Sequence, residues 1–138
     1  AIGPRRAAEL AGLPVLAHGI QDRKNNVTRF AVLASSSMPP SGSDKTTIAF
    51  DFDKPDAPGL VYGAMRPFAD RGINLTKIES RPTGTGMGNY IFLLDLEGHI
   101  DEPHVQQAIT ELQRHTSTFK VLGAYPRAEG MSVMQLDE

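Results

Sequence analysis

Between residues 45 and 125 the spacing of apolar side chains changes from every second residue to every third or fourth and back, twice over. Few folds accept that alternation, because period two buries one face of a strand and period 3.6 buries one stripe of a helix. Residues 46–52 place Ile48, Phe50 and Phe52 on one face, as a half-buried strand does. Residues 53–58 hold two prolines and two aspartates and read as a turn. Over 59–71, Val61, Ala64, Met65 and Phe68 then fall at i, i+3, i+4 and i+7, an amphipathic helix. Pro67 lies inside that pattern without an amide to donate, so a bend or an early end is expected near residues 63–66, with Gly72 closing the helix. Residues 73–80 read as a strand and 83–88 as a glycine-rich turn, and Tyr90, Phe92, Leu94 and Leu96 line a further strand. Asp101, Glu102 and Pro103 open a second helix, whose buried stripe is Val105, Ala108, Ile109 and Leu112. The last strand, 118–125, alternates Phe119, Val121, Gly123 and Tyr125.

The order is βαββαβ. With right-handed crossovers it makes an α+β, ferredoxin-like domain: a four-stranded antiparallel sheet with two helices on one face. The other face is left for water or a partner, and exposed sheet edges favour a second copy. Upstream the pattern is poorer. Residues 5–11 suggest a short helix stopped by Gly12, 13–17 a strand or buried segment, and 29–34 another strand. One helix and two short strands cannot close a core, so 1–34 reads as the C-terminal remnant of a larger α/β catalytic lobe, cut at its beginning. Residues 35–44, rich in serine and proline, read as a linker, 45–126 as the ferredoxin-like domain, and 127–138 as a tail that is an extension or partly disordered.

Charge and composition remove several classes of function. Fourteen Lys and Arg against 16 Asp and Glu leave a net charge of -2, without the basic excess that grips nucleic acid or anionic lipid. No cysteine is present, which excludes disulfides, thiolate metal sites and cysteine nucleophiles. Apolar runs reach about five residues, far below the ~20 of a membrane helix. The first residues lack the apolar core of a signal peptide, so a cytoplasmic location is expected. His99 and His104 flank a turn with acids between them, but solvated surface histidines are the commoner reading, and no metal is expected; His18 and His115 stand alone. The glycine-rich stretch joins two strands instead of preceding a helix, which argues against a phosphate loop.

Three stretches in chain order resemble prephenate dehydratase. Residues 26–30, Asn-Val-Thr-Arg-Phe, are similar to the family's N-x-T-R-F near the end of its catalytic domain. Residues 56–62, Asp-Ala-Pro-Gly-Leu-Val-Tyr, resemble the Gly-Ala-Leu-Val element that opens the first helix of its regulatory ACT domain. Residues 73–82, Ile-Asn-Leu-Thr-Lys-Ile-Glu-Ser-Arg-Pro, match its N-L-T-x-I-E-S-R-P nearly letter for letter. The ending 122–126 is also similar. Aromatic amino-acid hydroxylases carry a similar regulatory domain, but without the upstream Thr-Arg-Phe.

The resemblance implies the C-terminal part of an enzyme that converts prephenate to phenylpyruvate, water and carbon dioxide, with no cofactor, in phenylalanine biosynthesis. It implies that Thr28 meets the departing hydroxyl, as a positioned donor and not a full proton source. Arg29 then holds a substrate carboxylate or braces the loop, and Phe30 completes the catalytic motif. Other substrate-binding residues would lie upstream, leaving this chain inactive alone. The ACT domain is expected to bind L-phenylalanine for feedback inhibition, between subunits of a homodimer or homotetramer. Gly59 permits close approach of backbone to ligand, and the amides at Leu60 and Val61 attract a carboxylate. Asn74, Leu75 and Thr76 border the ligand, Asp56 or Glu79 meets its ammonium, and Ser80, Arg81 and Pro82 complete the block. Leu60 stands where the family element has Ala, which reshapes the pocket if the side chain faces the effector. The plainer reading makes Gly59 a helix start, Glu79 and Arg81 a surface ion pair and Pro82 a strand end. The alternative function is a non-catalytic amino-acid-binding or dimerisation module.

Overall fold

The computed structural model describes residues 1–23, 30–52, 57–83 and 90–128, and divides the chain into two units, Ala1–Leu33 and Ala34–Glu138. Among its described residues the first unit holds one short helix, α1 (Arg5–Leu10), none of whose residues is buried. Neither 13–17 nor 30–34 forms a strand, which corrects both expectations. Pro14 withholds an amide from any ladder, and no strand among the described residues lies beside either run to pair with it. Their apolar side chains stay in water, Leu16 at 95% and Val32 at 96% exposure.

The second unit contains β1 (Asp44–Phe50), α2 (Leu60–Ala69), β2 (Leu75–Pro82), β3 (Tyr90–Glu97), α3 (Pro103–Gln113) and β4 (Phe119–Pro126). The sheet runs β2-β3-β1-β4, antiparallel at every pairing, as the ferredoxin-like reading requires. Register lines up the core: Ile48 stands opposite Leu94, and Phe50 opposite Phe92 and Phe119, while Val121, the β4 partner of Ile48, is exposed. The Phe50 and Phe92 rings stack at 5.6 Å, while Phe52 meets Phe92 edge-on at 5.0 Å. Both helices contribute to this core, α2 through Ala64 and Phe68 and α3 through Val105, Ala108, Ile109 and Leu112. Val61, expected on the buried stripe, is instead 43% exposed.

Pro67 does not end α2 near residues 63–66, where the sequence allowed for an early stop. The helix continues to Ala69 with Pro67 buried in it. Near the last turn a proline forfeits one helical bond, and burial of its ring beside Ala64 and Phe68 overrides the local preference. The end itself is a double closure: Gly72 donates to Ala69 O at 3.1 Å and Ile73 to Phe68 O at 2.9 Å, with Ile73 buried. That closure delays β2, which starts at Leu75 and not at residue 73.

Candidate functional site

The expected effector residues gather in two places. At the amino end of α2, Gly59 takes the left-handed conformation, φ 82°, and caps the helix without any side-chain bond. The first helical bond runs from Gly63 N to Gly59 O at 2.8 Å, so the amides of Leu60, Val61 and Tyr62 precede it and point out of the helix end. Such an end favours an anion through both its N–H groups and its dipole. Leu60 is half-buried beside it. Asn74, Leu75 and Thr76 lie beyond the opposite end of α2: Asn74 O accepts from Glu97 N at 2.9 Å, and Thr76 occupies the irregular step between β2 and β3. A ten-residue helix at 1.5 Å per residue separates the two groups by about 15 Å. Within a single chain, they do not meet.

Residues 77–82 divide between the sheet's faces. Ile78 and Ser80 stand opposite Leu94 and Phe92, on the face that carries the helices, so Glu79 and Arg81 point to the other. There Glu79 pairs with Lys77 at 2.8 Å and with Arg81. The bond from Lys77 leads the effects holding the Glu79 carboxyl below its ordinary value, and Arg81 adds to it; burial opposes them. Its charge is therefore already answered within β2, which suits the plainer ion-pair reading and leaves Glu79 a poor first partner for a ligand ammonium. Pro82 is the last residue of β2. Asp56, Thr28 and Arg29 lie outside the described residues; Phe30 is described and exposed at 85%.

Sequence reasoning missed two polar clusters. On the face away from the helices, Thr47 Oγ1 donates to Asp95 Oδ1 at 2.7 Å, and Tyr125 OH lies 2.8 Å from the same Thr47 oxygen. Thr47 has one proton to give, so Tyr125 donates to it. The placement of Asp95 between Leu94 and Leu96 foretold its face, but not that the side chain would be 2% exposed there. The second cluster surrounds His99. It is completely buried, correcting the expectation of a solvated side chain, and it bonds to Met38 O through Nε2 at 3.0 Å. His104 meets Glu102 at 3.6 Å, and no group of three metal-binding side chains occurs among the described residues. A shallow groove of about 540 Å³ between Arg71 and Arg114 crosses the α3 surface; Arg71 there is tied to Glu111 at 2.9 Å. No helix among the described residues is long and apolar enough to cross a membrane.

Comparison with known proteins bears on both units. Residues 1–38 match the prephenate dehydratase family model and residues 52–114 the ACT domain model. The bifunctional chorismate mutase/prephenate dehydratase of Aquifex aeolicus is 47% identical over 128 residues, covering 93% of this chain and 35% of that protein. A crystal structure of the Arthrobacter aurescens prephenate dehydratase in complex with L-Phe superposes with a TM-score of 0.62 at 38% identity, over 69% of this chain and 31% of that one. A structure described as GqqA, a quorum quenching acylase, superposes at 0.63 with 30% identity, over 70% of this chain and 34% of its own. The chain thus spans about a third of the length of these relatives.

Proposed function

We propose, from the premise that this chain carries the end of a prephenate dehydratase domain followed by an ACT domain, that it is the regulatory C-terminal part of a cytoplasmic prephenate dehydratase whose ACT domain binds L-phenylalanine. The observation that carries the regulatory half is the amino end of α2, where Gly59 is the cap, no side-chain cap is found among the described residues, and three successive amides point outward toward an anion. A zwitterionic amino acid supplies that anion as its carboxylate. The bound L-Phe of the Arthrobacter relative supports the choice of side chain.

The separation of the two residue groups supports a site shared between copies. One amino acid cannot touch both ends of α2 in one chain, but a second copy set against the first brings its Asn74–Leu75–Thr76 to the partner's Gly59. The reading is therefore a homodimer, or a homotetramer built from two of them. Inhibition then follows by population shift: the effector binds the inactive arrangement more tightly, and a coupling of about 1–3 kcal/mol is ordinary for such a device.

In the catalytic half, Thr28 donates a hydrogen bond to the hydroxyl that leaves prephenate as carbon dioxide departs and the ring becomes aromatic. Arg29 holds a carboxylate by a bidentate pair, and Phe30 belongs to the same motif. The other substrate contacts come from parts of the parent protein outside this sequence, so the 138-residue chain has no turnover of its own.

Calorimetry on the 138-residue chain tests the effector: heat on adding L-phenylalanine, with sedimentation showing a dimer or larger, is the expected result. Binding of tyrosine alone, or a strict monomer with and without ligand, overturns the shared phenylalanine site. In the parent protein, Thr28→Ala is expected to remove prephenate turnover while phenylalanine still binds. Unchanged turnover in that variant would mean that Thr28 has no catalytic role.

A further inference from the structure

His99 sits at the turn between β3 and α3, with no exposed surface. Both ring nitrogens are engaged, and each partner can act in one sense only. The amide of Asp101 approaches Nδ1 at 3.1 Å and can only donate, so Nδ1 carries no proton. Met38 O, 3.0 Å from Nε2, can only accept, so Nε2 carries one. Two independent contacts therefore select the same tautomer, the neutral ring protonated at Nε2. The backbone around the ring is held as well. His99 N donates to Glu102 Oε1 at 2.6 Å, and Glu102 N returns a bond to His99 O at 3.0 Å.

Met38 belongs to the serine- and proline-rich stretch whose composition predicts a loose linker. Its continuation is fastened too. The Asp44 carboxylate accepts from Ser41 N at 2.7 Å, Ser41 Oγ at 2.7 Å and Gly42 N at 3.0 Å, folding 41–44 into a closed turn. Gly98, beside His99, donates its amide to Asp44 O at 2.9 Å, and Arg127 donates to Ser43 O at 2.7 Å. Pro39 and Pro40, between the His99 contact and this turn, restrict the chain further. Composition predicted flexibility here because serine and proline bury little, but the bonds that hold the segment use its backbone, which composition does not reveal.

We propose that His99 fastens a strap. Residues 38–44 are clamped to the β3–α3 turn by the Nε2–H tautomer of this imidazole, so the chain entering the ACT domain is tethered at Met38 and not six residues later at the start of β1. A load on residue 37 is thereby delivered to the turn that begins α3, where a free serine-proline linker would absorb it. Of the acidic groups around the ring, Asp44 closes the turn and Glu102 holds the His99 amide; the Asp101 carboxylate, 3.4 Å from Nδ1, is the one group that favours a proton there, and the shorter bond from the Asp101 amide opposes it. This inference does not depend on which effector binds or on what the parent enzyme does.

Nitrogen-15 NMR of the imidazoles in the wild-type chain at neutral pH tests the tautomer without any substitution. A neutral ring protonated at Nε2 is expected; a ring protonated at Nδ1, or at both nitrogens, overturns the proposal. Backbone relaxation then tests the fastening. The Met38 amide is expected to have an order parameter of about 0.85 in the wild type and in His99→Gln, whose side-chain amide still donates toward Met38 O, and below about 0.6 in His99→Leu. An equally rigid Met38 in His99→Leu, with the sheet intact, overturns the strap; so does a mobile Met38 in the wild type. If His99→Leu fails to fold, the wild-type tautomer and the wild-type Met38 order parameter still decide.

Discussion

Leu16, Val32 and Leu33 are as apolar as Leu94, Leu96 and Leu112, yet the first three are more than 90% exposed and the last three are completely buried. Side-chain chemistry does not separate the two sets. What separates them is whether a second element presents a matching face. Leu94 and Leu96 stand in β3 with β1 and β2 on either side and the helices above, so each methylene leaves water. Leu16 and Val32 stand in runs of the same kind with no ladder among the described residues. A hydrophobic run is therefore a request for a partner, and the partner decides the outcome.

The largest test of that contrast is a pair of truncations. Leu94→Ala is expected to lower the unfolding free energy of the ACT unit by about 2–5 kcal/mol, through lost burial and an unfilled cavity at the centre of the sheet. Leu16→Ala, at an exposed position, is expected to change it by less than about 0.5 kcal/mol. Urea denaturation followed by circular dichroism measures both. Comparable losses would mean that the first unit is buried against something in solution, and the contrast would fail.

Gly98→Ala comes next. The residue holds φ at 112°, where side chains are strained, and an added Cβ would lie 2.8 Å from Val105 Cγ2 in the first turn of α3. Strain and overlap together are expected to cost about 1–3 kcal/mol in the same denaturation experiment. The substitution also sharpens the comparison, because Gly12 has a similar left-handed backbone, φ 62°, with open space around it. Its alanine variant is expected to disturb α1 alone and leave the unfolding of the ACT unit unmoved.

The ferredoxin-like order and nearly all of its core were legible from periodicity, since Ile48, Phe68, Leu94, Val105 and Leu112 each sit where their period puts them. Failures came where a decision is non-local. Pro67 looked like a break, and tertiary packing carried the helix through it. Residues 13–17 and 30–34 looked like strands and found no ladder. For the candidate site, the motifs pointed to two element ends, Gly59 and Asn74, but no spacing rule discloses that they lie at opposite ends of one helix. His99 was misread because burial of a histidine depends on distant partners. Met38 O is 61 residues away in sequence, and a backbone carbonyl carries no side-chain signature.

The smallest expected effect is on acid stability, and it too belongs to the ACT unit. Bonds from Ser41 hold the Asp44 carboxyl below its ordinary 3.8, against an opposing push from burial and with help from Gly42. Burial pushes the Asp51 carboxyl up, but the bonds from Ser117 Oγ at 2.7 Å and Thr118 N at 2.6 Å outweigh it, and the net displacement is again downward. Glu79 moves in the same direction from 4.5. A carboxyl whose folded pKa is lowered stabilises the fold at pH values above its unfolded pKa, and that contribution disappears as pH falls through the folded one. Stability is therefore expected to hold steady down to about pH 5 and to decline below the ordinary carboxylate range. Asp44→Asn is expected to lower stability at neutral pH and to flatten part of that decline, because the amide cannot titrate and offers one acceptor oxygen where two were in use. Thermal melts of the two proteins at pH 7 and pH 3 measure the difference. If the gap between them is as wide at pH 3 as at pH 7, the charge of Asp44 contributes nothing, and its side chain holds the turn through hydrogen bonds that do not need the ionised form.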